Sequence, residues 1–463
     1  MIVVFKVFGY ALLGWIAYQP IKGLVRLIRR RKALRALGEH YTIEKRRVAS
    51  QQSLGLMAQR SRRGLNFYRV EVDGFRVDIL PGLRTMTYPW TWTTLSVDLG
   101  YGLPSNLSVQ PHEQASLIQH LLPGQRVGSA DSEFDRVHSL KGDQPELSSY
   151  LSETRRRALS ALTRLGGFVK EGRLIHSYKH AIFDGDRLQK AIVELVSTAR
   201  VLAVPSGETS PIPGLTANAG SDDIVSVRLQ NLRYLYQYYG ESTEASDLTN
   251  RLLNDPDSEI RLEAACHQPA GAEDVLLEFL QGDEDLSVRA RAVRGLGGCM
   301  PDKVRDKVLE LLSSTEPELR LASIHAAGSL KLNEAYEPMM SRFRATEGEE
   351  REHLATALTS LAQTGDESLE ERLLDTLRDP PICAPGPIIH GLAAIGTVKA
   401  VEKLLKALAG AYGGSRHDRH AAKEAIMEIQ GRATGAAAGQ LSLAELEDMD
   451  GALSLQTIDD EDE

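Results

Sequence analysis

Residues 255–289 decide the fold of the C-terminal half of the chain, and they read DPDSEIRLEAACHQPAGAEDVLLEFLQGDEDLSVR. The same pattern occurs twice in this stretch, because Asp255 lies six residues before Arg261 and Asp283 lies six residues before Arg289. Aspartate is a favoured N-cap, since its carboxylate accepts hydrogen bonds from the free amides of a first helical turn. We therefore predict that each arginine lies near the start of a helix and reaches back to a carboxylate in its own or the neighbouring repeat.

The arginine position recurs through the whole C-terminal half. Successive positions are 33, 28, 31, 31, 34 and 34 residues apart, namely Arg228, Arg261, Arg289, Arg320, Arg351, Pro385 and Arg419. Seven residues after each of the last five lies an apolar or small residue, namely Leu296, Ala327, Leu358, Leu392 and Ile426. A second amphipathic segment follows each of these, as in VLLEFL at 275–280. The period predicts stacked helix pairs that form an all-α solenoid over residues 224–430.

The Asp/Pro-x-x-x-Val/Ile-Arg-x-x-Ala pattern resembles the HEAT family, in the short bacterial version that is also found in phycobilin-lyase-like repeat proteins. The sequence departs from this pattern where Ala345 replaces the aspartate before Arg351, where Pro385 replaces the arginine, and in a degenerate first repeat. The resemblance implies a curved stack of helix pairs that presents a long surface to a protein or peptide. It also leaves open a repeat-based enzyme of the chromophore-lyase-like group.

Residues 64–203 predict a small α+β domain, in which helices cover one face of a sheet. Apolar and polar residues alternate on both sides of Asp73-Gly74, which predicts a two-residue hairpin. Further patterns predict a strand at 91–98, a helix at 112–121, a strand from Phe134, a helix at 146–165, a hairpin at Glu171-Gly172 and a helix at 186–202. Residues 204–223 are rich in Pro, Gly, Ser and Thr and predict a linker.

Part of this domain resembles an uncharacterised family of bacterial membrane-associated domains. The residues that carry the resemblance are Phe134-Asp135, Gly142-Asp143, Leu151-Ser152, Arg155 and Gly172. The resemblance implies a position near a membrane and no particular activity.

Residues 1–37 predict a membrane anchor with a basic collar. The stretch MIVVFKVFGYALLGWIAY at 1–18 is apolar apart from one lysine, and Trp15 is an aromatic residue suited to a bilayer interface. The collar consists of Lys22, Arg26, Arg29, Arg30, Arg31, Lys32 and Arg35. The positive-inside rule keeps this flank in the cytoplasm and predicts a single-pass or peripheral protein of the inner membrane with a cytoplasmic body. An interfacial helix, a cleaved signal peptide and a buried core helix are alternatives.

The charge distribution excludes nucleic acid as a partner. The chain has a net charge of −9, and residues 224–430 carry 23 basic and 34 acidic side chains. A repeat that wraps nucleic acid needs an excess of cations against the phosphates. Residues 431–463 are acidic and predict a disordered tail.

The sequence contains no Walker loop, Rossmann fingerprint, nucleophile elbow, zincin motif or paired-cysteine motif. His176 and His180, like His417 and His420, have a spacing that suits a metal but lack a supporting third ligand. We therefore expect no catalytic residue, cofactor, metal or small-molecule substrate. The resulting hypothesis is a non-enzymatic, membrane-tethered scaffold that binds a protein partner on its solenoid face. The alternatives are a chromophore-lyase-like repeat enzyme and a soluble regulatory repeat protein that binds a membrane complex peripherally.

Overall fold

The computed structural model describes residues 25, 28–47, 66–81, 93–100, 103–104, 106–112, 127–178, 182, 184–204, 210–268, 270–281, 284–346, 348–362, 366–378, 385–409 and 416–434. The chain divides into two compact units, Met1–Leu248 and Thr249–Glu463. Residues 1–24 of the predicted anchor, nearly all of the predicted helix at 112–121, and the predicted tail from residue 435 lie outside the described residues.

An antiparallel sheet forms the centre of the first unit. Its strands are β1 (Glu44–Arg47), β2 (Asn66–Val72), β3 (Phe75–Pro81), β4 (Thr93–Asp98), β5 (Ser108–Pro111), β6 (His138–Lys141), β7 (Phe168–Lys170) and β8 (Arg173–Tyr178). Within the described residues their order is β1-β2-β3-β4-β8-β7-β5-β6. Most of the described strands pair with a chain neighbour, and the two non-sequential pairs among them are β4 with β8 and β5 with β7.

Two hairpins form where the sequence predicts them. β2 pairs with β3 through Asp73 and Gly74, whose φ angles are 51° and 81°. β7 pairs with β8 through Glu171 and Gly172, at φ angles of 52° and 72°. Positive φ at both central residues is the requirement of a type I′ turn, which matches the twist of the flanking strands. Both hairpin predictions are confirmed.

Helices α1 to α5 bury the apolar side of this sheet, and they are α1 (residues 28–38), α2 (Ser132–Val137), α3 (Glu146–Tyr150), α4 (Glu153–Arg164) and α5 (Gly185–Leu202). Next along the chain, α6 (Ile212–Ser221) packs on α3, and α7 (Val225–Tyr239) packs on α6. α5 packs on β3 and β4, and α4 packs on β5 and β7. Val77 and Leu95 on the sheet and Ile192 on α5 are each fully buried in one shared hydrophobic core. The predicted α+β sheet domain is therefore present.

Two local predictions in this domain are wrong. Phe134 lies in α2 rather than in a strand, because Asp131 caps that helix by accepting from the Phe134 amide at 3.0 Å. The predicted helix at 146–165 is broken at Leu151-Ser152, where Ser152 becomes the N-cap residue of α4. Leu151 is buried at this break, and burial of one side chain outweighs the helical tendency of the surrounding residues.

The second half of the predicted linker is helical and packed. α6 covers residues 212–221 and begins directly after Pro211, a residue that suits a first helical turn. Asn218 Nδ2 donates to the carbonyl of Ser148 at 2.9 Å. At the end of α6, the buried Arg156 guanidinium donates to both carboxylate oxygens of Asp222 at 3.0 and 2.8 Å. Composition alone hides this helix, since its stability comes from contacts with α3 and α4.

The second unit consists of successive helix pairs. After α8 (Thr243–Leu252), the pairs are α9 (Ser258–His267) with α10 (Glu273–Gln281), α11 (Leu286–Leu296) with α12 (Pro301–Leu311), α13 (Pro317–Ser329) with α14 (Tyr336–Ala345), α15 (Glu349–Leu361) with α16 (Glu367–Arg378), and α17 (Gly386–Ile395) with α18 (Val398–Leu408), followed by α19 (Arg416–Thr434). The first helices α9, α11, α13, α15, α17 and α19 contact one another in sequence and form a continuous row. The prediction of stacked helix pairs is confirmed.

The repeat arginines lie at matching places in these pairs. Arg261, Arg289 and Arg320 are each the fourth residue of a first helix. The residues seven positions after the repeat positions are buried throughout, namely Leu296, Ala327, Leu358, Leu392 and Ile426. Pro385 is instead the N-cap residue of α17, so this helix begins later relative to the repeat position, although Leu392 is still buried.

No helix among the described residues is both long enough and apolar enough to cross a bilayer. The predicted anchor segment at 1–18, including Trp15, lies outside those residues, as do Lys22 and Arg26 of the collar.

Candidate interaction surface

Neighbouring first helices approach each other at small residues. A Cβ atom added to Gly328 would lie 3.0 Å from Ala357 Cα, and one added to Gly297 would lie 3.2 Å from Ala326 Cα. The small residues recur six positions after the repeat position, as Gly295, Ala326, Ala357, Gly391 and Ala425. This spacing follows the repeat period of the sequence. Such close packing leaves no room for a ligand between these helices, so a partner would bind on their exposed faces.

A buried carboxylate joins two successive repeats. Arg320 Nε and Nη2 donate to the two oxygens of Glu350 at 2.9 and 3.1 Å, and Arg342 Nε also contacts Glu350. The hydrogen bonds from Arg320 hold the pKa of Glu350 at about 2, well below its ordinary value. An arginine-to-carboxylate contact with the neighbouring repeat, as expected from the sequence, is thus observed at Arg320.

Other polar contacts join residues about one repeat apart. They are Glu263 with Arg291 at 2.5 Å, Glu273 with Lys303 at 3.3 Å, Tyr336 with Asp366 at 2.6 Å, and Glu370 with the Thr397 amide at 2.8 Å. Each pair spans 27 to 30 residues. Because these buried acids already serve the structure, they do not contribute to a surface for a partner.

The predicted caps Asp255 and Asp283 are not the residues found at the helix starts. Asp257 caps α9, and Asp255 instead accepts from the Asp257 amide at 3.0 Å. Arg261 donates to the backbone carbonyl of Asp255 at 2.8 Å rather than to a carboxylate. Asp283 lies outside the described residues, and the N-cap residue of α11 is Asp285. The cap lies nearer the helix because only the residue directly before the first turn can reach its free amides.

Arg289, Arg351 and Arg419 have different surroundings from Arg320. The Nε atoms of Arg289 and Arg351 are buried without a hydrogen-bond partner among the described residues. Arg351 lies over the ring of Phe343 at 5.8 Å, whereas Arg419 is exposed on α19. These positions therefore serve helix packing.

Exposed charge is concentrated on the second helices. We call the exposed side chains of α10, α12, α14, α16 and α18 the second-helix face. Its described acids are Asp274, Glu278, Asp302, Asp306, Glu310, Glu337, Glu367, Glu371, Asp375 and Glu402, and its cations are Lys303, Arg344, Arg372, Lys399 and Lys406. The exposed charged residues of the first helices α11, α13, α15 and α17, which we call the first-helix face, are Arg294, Glu318 and Glu349. Among the described residues, fully exposed acids thus outnumber fully exposed cations by ten to five on the second-helix face, although the half-exposed Arg305 and Lys307 form ion pairs with Asp302 and Glu310.

Potential metal ligands are dispersed among the described residues. No group of three potential metal-ligating side chains occurs among them. His176 is buried in β8, where desolvation lowers its pKa and its ring stacks on Tyr178. Its predicted neighbour His180 lies outside the described residues. Burial raises the pKa of Cys266 to about 11 and that of Cys299 to about 12, so neither thiol is an activated nucleophile.

Part of the basic collar is an ordered helix on the first unit. α1 buries Ala33 and Leu37, and Ala36 lies against Gly185 at the start of α5. Arg30 lies over the ring of Tyr68 at 5.5 Å. The collar residues with exposed side chains are Arg29, Arg31, Lys32 and Arg35. The exposed cations are therefore held in a fixed orientation on the sheet domain.

Comparison with known proteins identifies the repeat type. The family model for HEAT repeats matches residues 273–359, which cover α10 to α15. Among solved structures, the complex of CpcE and CpcF of phycocyanin lyase from Nostoc sp. PCC7120 is similar at 18% identity and a TM-score of 0.34. That similarity covers 49% of this chain and 97% of the other, and at this TM-score it carries no argument about function. No curated protein matches the sequence.

The helix pairs, their repeat period and the matched family model agree with one another. The C-terminal region of this chain is a HEAT-like helical repeat region.

Proposed function

We propose that this protein is a non-enzymatic scaffold whose second-helix face binds a protein partner with a basic surface. The observation that carries the proposal is the excess of exposed acids on that face, which is present on α10, α12 and α16. The interior of the repeats is closed by small residues and by paired acids. HEAT repeats offer a long shallow surface, which suits a protein or peptide better than a small polar substrate.

Complementary charge would give such a partner both orientation and rapid association. Asp306 on α12 and Glu371 on α16 are exposed acids two repeats apart. A basic partner that contacts both would span several helix pairs. This geometry distinguishes an extended docking surface from a single contact point.

Charge reversal on the two faces tests the proposal. The full chain with Asp306→Lys and Glu371→Lys should lose its co-purifying proteins, as identified by mass spectrometry. A matched variant with Glu318→Lys and Glu349→Lys changes the same number of charges on the first-helix face and should keep them. Equal loss or equal retention in both variants would contradict a partner on the second-helix face. A pigment or metal that co-purifies in stoichiometric amount would instead favour the lyase-like enzyme.

We further propose that residues 1–37 attach the protein to the cytoplasmic side of the inner membrane. The apolar stretch at 1–18 and the exposed cations of α1 support this proposal. Ala33 and Leu37 belong to the core of the sheet domain, so a truncation that tests attachment should remove residues 1–24 only.

Membrane fractionation of the full chain and of this truncation tests attachment. The full chain should sediment with membranes, and the truncation should be released by high salt because only the cations of α1 remain. Extraction with alkaline carbonate then separates a spanning segment, which is retained, from an interfacial helix, which is released. A full chain that stays in the soluble fraction would refute attachment.

A further inference from the structure

A row of polar side chains crosses three strands of the sheet in the first unit. Ser108 on β5 pairs with Lys141 on β6 and, on its other side, with Lys170 on β7. Directly paired residues of antiparallel strands share one face, with Cβ atoms about 5 Å apart. The two lysines therefore flank the serine on the same face of the sheet.

An open cleft of about 580 Å³ lies over this row. Leu103 and Pro104 form one wall, and the Glu171-Gly172 turn forms another. The volume lies within the range of small-ligand sites, and such sites combine apolar walls with a few placed polar groups.

The hydrogen bonds at the floor of the cleft leave a donor available. Gln110 Nε2 donates to Ser108 Oγ at 3.0 Å. The hydroxyl hydrogen of Ser108 can therefore be donated to a different acceptor. Ser108 is only 8% exposed, and its side chain lines the cleft. A buried hydroxyl without an acceptor has a free-energy cost, which a ligand oxygen would remove.

The charges around the cleft favour an anion. Lys141 is exposed and makes no ion pair with the other described residues. Lys170 Nζ has a single loose contact, 3.5 Å from the exposed carboxylate of Glu171. The described residues of the cleft thus supply two ammonium groups and one hydroxyl donor but only one carboxylate, which is exposed to solvent. Such an excess of positive charge attracts negative ligands.

We propose that this cleft binds a phosphate group, carried either by a small soluble molecule or by a lipid headgroup. The three donors lie side by side on three adjacent strands. A phosphate group carries up to two negative charges, which matches the two ammonium groups, whereas a carboxylate carries only one. Leu103 and Pro104 would contact the organic part of the ligand. The inference goes beyond the scaffold function and does not rest on it.

Binding of inorganic phosphate and of glycerol 3-phosphate to the full chain tests the cleft, with titration calorimetry and phosphorus NMR line width as readouts. Wild type should bind at least one of the two saturably. The double variant Lys141→Gln/Lys170→Gln should bind roughly tenfold more weakly or not at all, because each ammonium-phosphate hydrogen bond is charge-assisted. The matched variant Lys190→Gln/Lys423→Gln removes two exposed ammonium groups elsewhere and should bind like wild type.

Sedimentation with phosphatidylcholine vesicles, with and without phosphatidylglycerol, separates the two sources of phosphate. If the cleft takes a lipid headgroup, Lys141→Gln/Lys170→Gln should bind phosphatidylglycerol vesicles more weakly than the matched variant. Equal vesicle binding together with saturable phosphate binding identifies a soluble ligand. The proposal is overturned if wild type binds neither phosphate probe, or if the cleft variant binds them as wild type does. Ser108→Ala should weaken binding as well, and circular dichroism checks that each variant is folded.

Discussion

Neutralising Glu350 is the sharpest test of how successive repeats are joined. The carboxylate accepts from Arg320 at 2.9 and 3.1 Å and is also contacted by Arg342. Its pKa falls from 4.5 to about 2 in the folded protein. Since one pKa unit corresponds to about 1.4 kcal/mol, the full shift corresponds to about 3 kcal/mol. Solvent screening of the half-buried carboxylate lowers the expected stabilisation to about 1–2 kcal/mol. We expect Glu350→Gln to lower the free energy of unfolding of the repeat region by an amount of that order.

The pH dependence carries a definite sign. A depressed carboxyl pKa contributes stability that is fully present above the unfolded pKa and is lost as the pH falls through the folded pKa. The difference in the free energy of unfolding between wild type and Glu350→Gln should therefore be constant above about pH 5. It should shrink between pH 4.5 and about 2, as the wild-type carboxylate becomes protonated.

Urea unfolding of the full chain gives the required free energies. The only tryptophans are Trp15, Trp90 and Trp92, so tryptophan fluorescence reports on the first unit. Far-ultraviolet circular dichroism is dominated by the helical repeats. Glu349→Gln is a matched control, because Glu349 is 80% exposed and lies 3.8 Å from a histidine. Equal effects of the two substitutions, or a difference that persists at pH 2, would refute the contribution assigned to the buried contact.

Three further substitutions test other contacts. Asp257→Ala removes the cap of α9 and should destabilise the repeats by about 1 kcal/mol in urea unfolding followed by circular dichroism; no change would contradict the cap. Gly328→Val places a branched side chain against the neighbouring first helix and should cost about 1–3 kcal/mol by the same measurement, whereas unchanged stability would show that the helices can separate. Asp222→Asn leaves the buried Arg156 with only the carboxylate of Asp131, at 3.0 Å, and should lower the free energy of unfolding by about 1–3 kcal/mol, as followed by fluorescence. Asp223→Asn alters the next, exposed carboxylate and should have little effect, so equal losses would refute the role of the buried pair.

The turn chemistry and the repeat period could be predicted because they depend on local residues. Asp73-Gly74 and Glu171-Gly172 need positive φ angles that glycine and its polar neighbour can adopt, and both hairpins form. The apolar position after each repeat arginine is buried in every case, as at Leu296 and Leu358. Because the pattern recurs about every 31 residues, each helix pair buries the same positions against its neighbour.

Contacts between distant segments could not be predicted in the same way. α6 lies in a stretch whose composition favours a linker, yet Asn218 and Asp222 bind groups on α3 and α4. The cap of α9 moves from Asp255 to Asp257 because the exact helix start depends on how α9 packs. The local residues do not distinguish a linker from a helix at α6, or Asp255 from Asp257 as the cap of α9. Burial in the tertiary structure decides both.

By itself, the sequence determined the repeat architecture, the sheet domain before it and the distribution of net charge. These properties follow from periodicity, turn residues and composition. Each of these features can be seen in a short segment without reference to the rest of the chain. Only the tertiary structure decided which acids are buried in contacts such as Arg320–Glu350 and which remain on the second-helix face. It also decided that Lys141, Ser108 and Lys170 lie side by side. Strand register and helix packing bring together residues that are far apart in the chain, and no local pattern records those distances.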